Sequence, residues 1–551
     1  MTAAEAQKAS GTYYTPSTLS DFIVYHIFGH YHFQDKICVL EPSAGDGIFF
    51  KSIFNNKLFG DRFVIPSQLD LTAVERDAKA YEKLKLETNS FESSNHRFTY
   101  LNDDYLKFQT QNTEKYDLIV GNPPYIQSKH LTKDQIKLCE NIHRDSHLSV
   151  KKIKNIWTSF LVGGVQSLSS EGVMCFVLPA ELLQVIYAKE LRDFLRDNFQ
   201  KIEIFTFNEL IFPDIEQDVI VLICAKKQAP GVSFYHVDKL DDLKVPTYVE
   251  DHSNIHRETL DKWTNYILSD EELVFLDRLK NDLGLQPIKN YCRAEVGVVT
   301  AANSYFIVDN NVVAESPELK RLSRPIIQKG MHITPGATFT SGDLRAVRKA
   351  SKPSYFLAFK DRPESSFNQP IRAYLSEGRK LQIDQRYKCK LRKRWYVVPS
   401  TWVSDGFFTK RSNIFPRMIM NEAGSLVTDS FYRIKMNEGK NIRDFVFSFY
   451  NSLTFIYAEL EGRYYGGSVL ELMPSECKNL PIPYRDGVDD EEFQRLDSLL
   501  RTNVSISEIL NYTNTVILQQ GYGVSDRDLI KLDGIYKKLL RRRLKSHQYV
   551  Y

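Results

Sequence analysis

The chain of 551 residues is 42% hydrophobic and 26% charged, a size and composition that predict two or three domains with real cores. Its 72 basic and 69 acidic side chains leave a net charge of only +3, which excludes a nucleic-acid binder that is basic over its whole surface. A surface that binds nucleic acid would have to arise from local clusters of basic residues. The seven cysteines form no CxxC pair, so we expect reduced thiols and no metal site. The N-terminus lacks the apolar core of a signal peptide, and no apolar run reaches the roughly 18 residues of a membrane span, so we expect a soluble, cytoplasmic protein.

The first 225 residues alternate short apolar segments with a segment of helical periodicity. The apolar spacing predicts a helix over Asn155–Leu168. The predicted strands are Lys36–Glu41, Leu71–Glu75, His96–Asp103, Tyr116–Asn122, Gly172–Pro179 and Gln217–Ala225. Apolar strands separated by helical patterns are typical of an α/β fold with a mostly parallel sheet covered on both faces.

The sequence pattern changes near residues 226–235. Beyond this point the strand-like segments are shorter, and both charged residues and turn residues are more frequent. We therefore predict a first domain over residues 1–230 and a mixed α+β domain over residues 231–485. A helical C-terminal segment is predicted over residues 486–551, and it contains the basic amphipathic stretch Tyr536–Ser546.

A glycine-bearing turn follows the first predicted strand in the segment VLEPSAGDGIFF, Val39–Phe50. Glu41 ends the strand, and Gly45 and Gly47 allow the backbone to approach a ligand closely at the start of a helix. The spacing differs from the dinucleotide fingerprint GxGxxG, which disfavours a nicotinamide dehydrogenase.

Two more strand ends carry acidic side chains. Glu75 ends the second strand, where a carboxylate can accept hydrogen bonds from ribose hydroxyls or can simply be a solvated strand end. The segment Asn102–Phe108, NDDYLKF, follows the third strand. A carboxylate there can accept from an adenine amino group while an aromatic ring stacks nearby.

The fourth strand leads into the tetrapeptide Asn122–Tyr125, of sequence NPPY. The Asn122 side chain and the backbone offer carbonyl oxygens, and the prolines carry no competing N–H. Two acceptors that converge on one exocyclic amino group would bind both of its hydrogens and aim its lone pair at an electrophile. The alternative interpretation is a rigid turn that caps a strand.

With these motifs in this order, the chain resembles the N6-adenine DNA methyltransferases of the gamma class, the TaqI-like and Eco57I-like group. The resemblance is close over residues 1–225 and looser to about residue 485. It implies a Rossmann-like catalytic domain that binds S-adenosylmethionine and methylates an adenine flipped out of the DNA.

The resemblance also assigns roles to individual residues. The positions that match the family's cofactor motifs are Tyr14, Thr15, Glu41, Ser43, Gly45, Gly47, Glu75, Asp104, Tyr105 and Asn122, with Asp103 as an alternative to Asp104. The catalytic tetrapeptide matches Asn122, Pro123, Pro124 and Tyr125. Phe212 matches the aromatic residue that stacks on the target base opposite Tyr125.

The remainder of the chain is expected to recognise a DNA sequence. The segment Arg386–Pro399 interleaves basic and aromatic residues, and the candidate DNA-binding side chains within it are Lys388, Lys390, Arg392, Lys393 and Arg394. A solvated charged loop is the alternative interpretation. The expected partner is double-stranded DNA bound by a monomer, and a separately encoded restriction endonuclease is left open.

Two other functions fit parts of the sequence. The tetrapeptide could also hold an amino group of RNA adenine or of a protein glutamine, although such enzymes are usually shorter and lack a large C-terminal half. A DNA-recognition subunit without catalysis is the second alternative, and the intact tetrapeptide and glycine loop count against it.

Overall fold

The computed structural model describes residues 13–56, 65–207, 209, 211–212, 218–244, 250–251, 263, 268–465 and 469–544. The chain forms two compact units, residues 1–269 and residues 270–551. Across the described residues, no helix is both long and apolar enough to cross a membrane.

Unit 1 is built on a single sheet, in which nine strands are described. They are β1 Lys36–Glu41, β2 Gln68–Val74, β3 His96–Leu101, β4 Tyr116–Gly121, β5 Leu168–Pro179, β6 Lys201–Phe207, β7 Val219–Ala225, β8 Gly231–Val237 and β9 Glu250–Asp251. Their order across the sheet is β3-β2-β1-β4-β5-β7-β6-β8-β9. Only β7 and β9 run antiparallel to their neighbours among these strands.

The helices of unit 1 include two groups that pack together. The described α-helices of unit 1 are α1 Ser17–His30, α2 Ile48–Asn55, α3 Ala78–Thr88, α4 Tyr105–Gln111, α5 Lys133–Asp145, α6 Trp157–Ser167, α7 Glu181–Gln184 and α8 Lys189–Asn198. Helix α1 packs on α2, and α4, α5 and α6 pack on one another. Every residue of β7 is buried, as expected of a strand covered on both faces. The predicted α/β class is confirmed.

The six predicted strands and the predicted helix are all present in unit 1, with ends that differ by a few residues. Three strands, β6, β8 and the two-residue β9, are absent from the prediction. Because β8 pairs in parallel with β6 along its whole length, the sheet continues beyond residue 230. The first compact unit therefore extends to Ser269, whereas the sequence places the first boundary at residue 230.

Unit 2 mixes short strands with helices, as its sequence predicts. Its described strands are β10 Gln286–Pro287, β11 Cys292–Val296, β12 Ile307–Val308, β13 Ser323–Ile327, β14 Thr338–Phe339, β15 Tyr355–Leu357, β16 Gly406–Thr409, β17 Arg411–Ser412, β18 Met418–Asn421, β19 Leu426–Val427, β20 Phe431–Met436, β21 Arg463–Tyr465, β22 Val469–Glu471 and β23 Pro481–Ile482. They form a five-stranded sheet, β11-β20-β16-β18-β14, and three smaller sheets.

The described α-helices of unit 2 are α9 Asp270–Asp282, α10 Asn303–Phe306, α11 Asn310–Glu315, α12 Pro317–Leu322, α13 Ser341–Lys349, α14 Gln369–Lys380, α15 Tyr387–Lys390, α16 Ile442–Phe449, α17 Ser452–Glu461, α18 Pro474–Asn479, α19 Asp490–Arg501, α20 Ile506–Asn514 and α21 Asp526–Leu544. A π-helical turn, Thr515–Gly521, follows α20.

The C-terminal segment is helical, as predicted, and it packs within unit 2. Arg543 on α21 is 3% exposed and donates to both carboxylate oxygens of Glu459 on α17, at 3.0 and 2.9 Å. Asp497 on α19 accepts from the backbone N–H of Ala337 at 2.7 Å. These buried polar contacts tie the last helices to the rest of the unit.

Candidate active site

The carboxyl ends of β1, β2, β3 and β4 meet at one edge of the sheet, because the four strands are parallel neighbours. A single cavity at this edge is lined by nine of the ten predicted cofactor residues. They are Tyr14, Thr15, Glu41, Ser43, Gly45, Glu75, Asp104, Tyr105 and Asn122. The structure thus brings the predicted strand ends together, and the role of each residue remains a prediction.

The loop between β1 and α2 depends on its two glycines. Gly45 has a φ of +56°, and its N–H donates to the Glu75 carboxylate at 2.8 Å. Gly47, the tenth predicted cofactor residue, lies outside the lining of the cavity. Its φ is +75°, and a Cβ there would lie 2.6 Å from a methyl carbon of Leu84. Gly47 therefore serves the packing of α2 against α3.

Glu75 has both carboxylate oxygens engaged by the backbone. One oxygen accepts from Gly45 N–H, and the other accepts from Asp77 N–H at 2.7 Å. Burial raises the pKa of Glu75, although these two hydrogen bonds act in the opposite direction. The acid predicted to hold a ribose also fixes the shape of the glycine loop.

Glu41 is the most unusual polar group of the cavity. It is 1% exposed, and its Oε2 atom has no hydrogen-bond partner among the described residues. Burial raises the pKa of Glu41 well above its ordinary range, and the nearby Asp46 and Glu75 carboxylates add to the effect. A buried carboxyl oxygen without a partner is costly, and a cationic or hydrogen-donating ligand would relieve that cost.

The pair Asp104 and Tyr105 begins helix α4. One Asp104 oxygen caps the helix by accepting from Leu106 N–H at 3.0 Å, and the other accepts from the Gln135 side-chain amide at 3.0 Å. The Tyr105 ring is buried, with its centroid 4.5 Å from that of Phe160. Asp103, the alternative carboxylate, also lines the cavity.

The side-chain amide nitrogen and the backbone carbonyl of Asn122 are both hydrogen-bonded. Its Nδ2 atom donates to the Tyr13 carbonyl at 3.0 Å and to Thr15 Oγ1 at 3.2 Å. Its backbone carbonyl accepts from Ser43 Oγ at 3.0 Å, so this oxygen is already engaged. No donor of the described residues reaches the Pro123 carbonyl. Of the backbone acceptors that the sequence suggested, Pro123 is the better candidate.

The Tyr125 hydroxyl connects the tetrapeptide to the neighbouring strand. Its oxygen lies 3.0 Å from Asn122 Oδ1 and 3.1 Å from the Val177 carbonyl oxygen at the end of β5. A hydroxyl carries one hydrogen, so it can donate fully to only one of these acceptors at a time. When it donates to Val177, Asn122 Oδ1 is left to accept from another group.

Three aromatic rings gather beside the tetrapeptide. The Tyr13 ring centroid lies 6.0 Å from that of Tyr125 and 6.1 Å from that of Phe212. Both Tyr125 and Phe212 are buried, whereas Tyr13 is partly exposed. The predicted pair of stacking residues therefore shares a third aromatic neighbour.

Sequence reasoning missed several residues of this site. Tyr13 immediately precedes the predicted Tyr14, and the run of two tyrosines before Thr15 was its signal. Ile126, Ile156 and Phe160 form an apolar part of the cavity wall, and no local pattern separates such residues from ordinary core.

Two protein-family models match the sequence of this chain. Residues 50–212 match the Eco57I restriction-modification methylase model, and residues 260–518 match the C-terminal domain of the Type II methyltransferase M.Eco57I. The chain belongs to the Eco57I-like family of restriction-modification methylases. It is therefore a DNA methyltransferase of the restriction-modification class.

Two relatives of this Eco57I-like methylase match it over most of their length. The Type II methyltransferase M.AccI of Acinetobacter calcoaceticus is 25% identical over 453 residues, which span 79% of this chain and 77% of M.AccI. The Type II methyltransferase M.BanIII of Aneurinibacillus aneurinilyticus is 20% identical over 508 residues, 79% of this chain and 82% of M.BanIII.

The fold of this Eco57I-like methylase is shared with the Type IIL restriction-modification enzyme MmeI, whose structure was solved in complex with DNA. The TM-score is 0.60 at 10% sequence identity, over 98% of this chain and 75% of the MmeI chain.

The basic segment of the Eco57I-like methylase divides into exposed and engaged side chains. Lys388, Lys390 and Lys393 are exposed. Arg392 differs from the prediction, because its guanidinium donates to three carbonyls, those of Val299, Thr300 and Trp395, at 2.8–3.1 Å. Arg394 pairs with Asp361 at 2.8 Å.

Arg392 is thus engaged within the folded chain, and Lys393 also lies 3.9 Å from the Asp361 carboxylate. Of the five predicted DNA-binding residues, Lys388 and Lys390 are the two for whose side chains the described residues supply no carboxylate or carbonyl partner.

Proposed function

We propose that this methylase transfers a methyl group from S-adenosylmethionine to the N6 amino group of an adenine flipped out of double-stranded DNA. The observation that carries the proposal is the Asn122–Tyr125 turn, which offers two carbonyl oxygens beside a cavity suited to a nucleoside cofactor. The reaction serves either a restriction-modification pair with a separate endonuclease or an orphan modification in the bacterial cytoplasm.

The cavity fits the cofactor through its acidic and glycine-rich lining. Glu41 offers a buried carboxyl oxygen that no described residue binds, which suits a cationic ligand. Glu75 would face the ribose, and Asp104 or Asp103 would accept from the adenine amino group. Bound S-adenosylmethionine supplies a methyl group that is activated by its positively charged sulfur. Tyr14 and Thr15 would hold its amino-acid end.

The target base would be held on its edge and on its faces. Asn122 Oδ1 and the Pro123 carbonyl would accept the two amino hydrogens, once the Tyr125 hydroxyl donates to Val177 instead of Asn122. Tyr125 and Phe212 would stack on the base. Unstacking a base costs a few kcal/mol, and aromatic stacking returns about 1–3 kcal/mol per base.

Positioning dominates this mechanism over proton transfer. Burial raises the pKa of Tyr125 well above its ordinary value, so its phenol remains protonated and acts as a hydrogen-bond donor. The amino group needs no strong base before attack, because its proton becomes acidic only as the new bond to carbon forms. The chain's contribution is to fix the reacting nitrogen in line with the methyl carbon.

The test is methyl transfer by the purified chain to DNA, to ribosomal RNA and to a protein with an accessible glutamine. Nucleoside mass spectrometry identifies the modified base, and methylation-aware sequencing identifies the site. We expect N6-methyladenine in duplex DNA only. Methylation of RNA or glutamine would reassign the substrate, and cofactor binding without turnover on any DNA would favour a recognition subunit without catalysis.

A further inference from the structure

A large cavity lies entirely within unit 2, and it shares no lining residue with the cavity at the edge of the unit 1 sheet. Its volume is about 970 Å³. Its walls come from segments that are distant in sequence, namely residues 329–336, 409–417, 429–430, 500–509 and 540–544. Ligand sites commonly have volumes of about 300–1,000 Å³, so the cavity is large enough for a substantial ligand.

Arg417 lines this cavity with an incompletely satisfied guanidinium. The described residues give its side chain one hydrogen bond, from Nη2 to the Gly330 carbonyl at 3.4 Å, and no carboxylate partner. Arg417 is half-buried, and this partial burial lowers its pKa. An arginine nevertheless keeps its charge, so the donors of Arg417 that bind no described residue remain available to an anion in the cavity.

Two fully buried arginines of unit 2 differ from the half-buried Arg417. Arg543 binds the Glu459 carboxylate through two nitrogens and also donates to the Ile414 carbonyl at 2.6 Å. Arg433 donates to the Val296 carbonyl at 3.1 Å and to the Ser400 carbonyl at 2.6 Å. These side chains are structural, because the protein itself satisfies their donors. The same explanation does not apply to Arg417.

The charges around Arg417 are predominantly positive. Lys410 and Arg411 both pair with the Glu471 carboxylate, at 2.8 and 3.3 Å. Lys329 also lines the cavity and is exposed. Asp429 is the acidic residue among the lining side chains of the described chain. The described lining of the cavity thus holds four cations and one carboxylate, which favours an anionic ligand.

We propose that this cavity binds a phosphate group, with Arg417 as its principal ligand and Lys329, Lys410 and Arg411 as its surrounding cations. A planar guanidinium with free donors matches the oxygens of a phosphate. The source favoured here is the DNA backbone, a choice that rests on the proposed function. The exposed side chain of Met331, 84% accessible beside these cations, suits contact with sugars or base edges.

The test compares Arg417→Gln with Arg372→Gln, an exposed arginine outside the cavity lining. Fluorescence anisotropy would follow binding of a short duplex without cofactor over a range of salt concentrations. For Arg417→Gln we expect binding several-fold weaker on every sequence and a salt dependence smaller by the equivalent of about one neutralised phosphate. Arg372→Gln should match the wild type.

A second arm separates the sources of phosphate. Inorganic pyrophosphate should raise the unfolding temperature of the wild type and leave that of Arg417→Gln unchanged. If pyrophosphate discriminates the two proteins while duplex binding does not, the phosphate site stands and its ligand is a free phosphate compound. If neither probe discriminates them, the proposal is wrong.

Two controls keep the outcome interpretable. Because Arg417 makes one long hydrogen bond, Arg417→Gln should unfold at or above the wild-type temperature, and Arg417→Lys offers a charge-retaining variant with intermediate binding. Neither binding assay contains cofactor or measures methylation. Failure of methyl transfer would therefore leave this result intact, and failure of phosphate binding would leave the methyl-transfer proposal intact.

Discussion

The side-chain amide of Asn122 donates to the main-chain carbonyl of Tyr13 at 3.0 Å, across 109 positions of the sequence. This bond orients the amide so that its oxygen, and not its nitrogen, faces the Tyr125 hydroxyl. The segment that leads into α1 therefore sets which atom of Asn122 is available to a target amino group.

Replacing Asn122 with alanine should reduce methyl transfer by at least about a hundredfold, because in the proposed mechanism it removes an acceptor for the reacting amino group. Cofactor affinity, measured by calorimetry in the absence of DNA, should fall much less. Turnover near the wild-type rate would contradict the mechanism.

Replacing Tyr13 with alanine should weaken capture of the target base. The Tyr13 ring neighbours both Tyr125 and Phe212, the proposed stacking residues, so its removal should loosen them and cost part of the roughly 1–3 kcal/mol that base stacking contributes. We expect KM for DNA to rise and 2-aminopurine fluorescence to report a smaller flipped fraction. Tyr13→Phe retains the ring and should behave like the wild type; equal defects in both variants would show that the hydroxyl, not stacking, matters.

Glu41→Gln should stabilise the ligand-free protein at neutral pH. The pKa of Glu41 is raised by burial, so the folded state keeps a proton that the unfolded state loses above its ordinary pKa. The free energy of unfolding of the wild type consequently falls as pH rises from the ordinary carboxyl pKa toward the raised pKa of Glu41. The unfolding temperature of Glu41→Gln should exceed that of the wild type more at pH 7 than at pH 4, while cofactor affinity falls. If the gain in unfolding temperature of Glu41→Gln were smaller at pH 7 than at pH 4, the inferred rise of the Glu41 pKa would be wrong.

Glu203→Gln should destabilise unit 1. Glu203 is 5% exposed, and burial alone would raise its pKa, yet hydrogen bonds from His26, Tyr31 and Tyr235 lower the pKa to about 2. The stabilisation is therefore present above the ordinary pKa of 4.5 and disappears as pH falls toward 2.

In urea unfolding at pH 7, we expect the free energy of unfolding of Glu203→Gln to be lower by about 1.5–3 kcal/mol. The difference from the wild type should shrink at acidic pH. A constant difference across pH would show that the carboxylate charge is irrelevant.

Replacing Lys388, Lys390 and Lys393 with glutamine should weaken DNA binding and reduce its salt dependence, by up to about 0.9 in the log–log slope for each phosphate that is no longer neutralised. Arg392→Gln should instead lower the unfolding temperature, since that side chain bonds three carbonyls. If all four substitutions have the same effect on DNA binding, the distinction between exposed and engaged cations fails.

The sequence predicts the strands of unit 1 well because long apolar runs such as Val219–Ala225 leave few alternatives. The convergence of Glu41, Glu75 and Asn122 was also predictable, since parallel strands end at one edge of a sheet. β6, of sequence KIEIFTF, was missed because its charged residues interrupt the apolar run, and Glu203 is buried there only by virtue of its distant partners.

Long-range contacts explain the other differences. The contact of Tyr13 with Phe212 joins residues nearly 200 positions apart, and the engagement of Arg392 depends on carbonyls near residue 300. A basic run in the sequence does not reveal which of its members will meet carbonyl groups of the folded chain.

The bonds that hold the Asn122–Tyr125 turn have their described partners at Tyr13, Thr15, Ser43 and Val177, all within the first compact unit. The described contacts that hold the proposed catalytic turn thus all lie in one unit. If residues 231–485 recognise the DNA sequence, as the family resemblance implies, substitutions there can change which sequence is modified without altering any of these contacts.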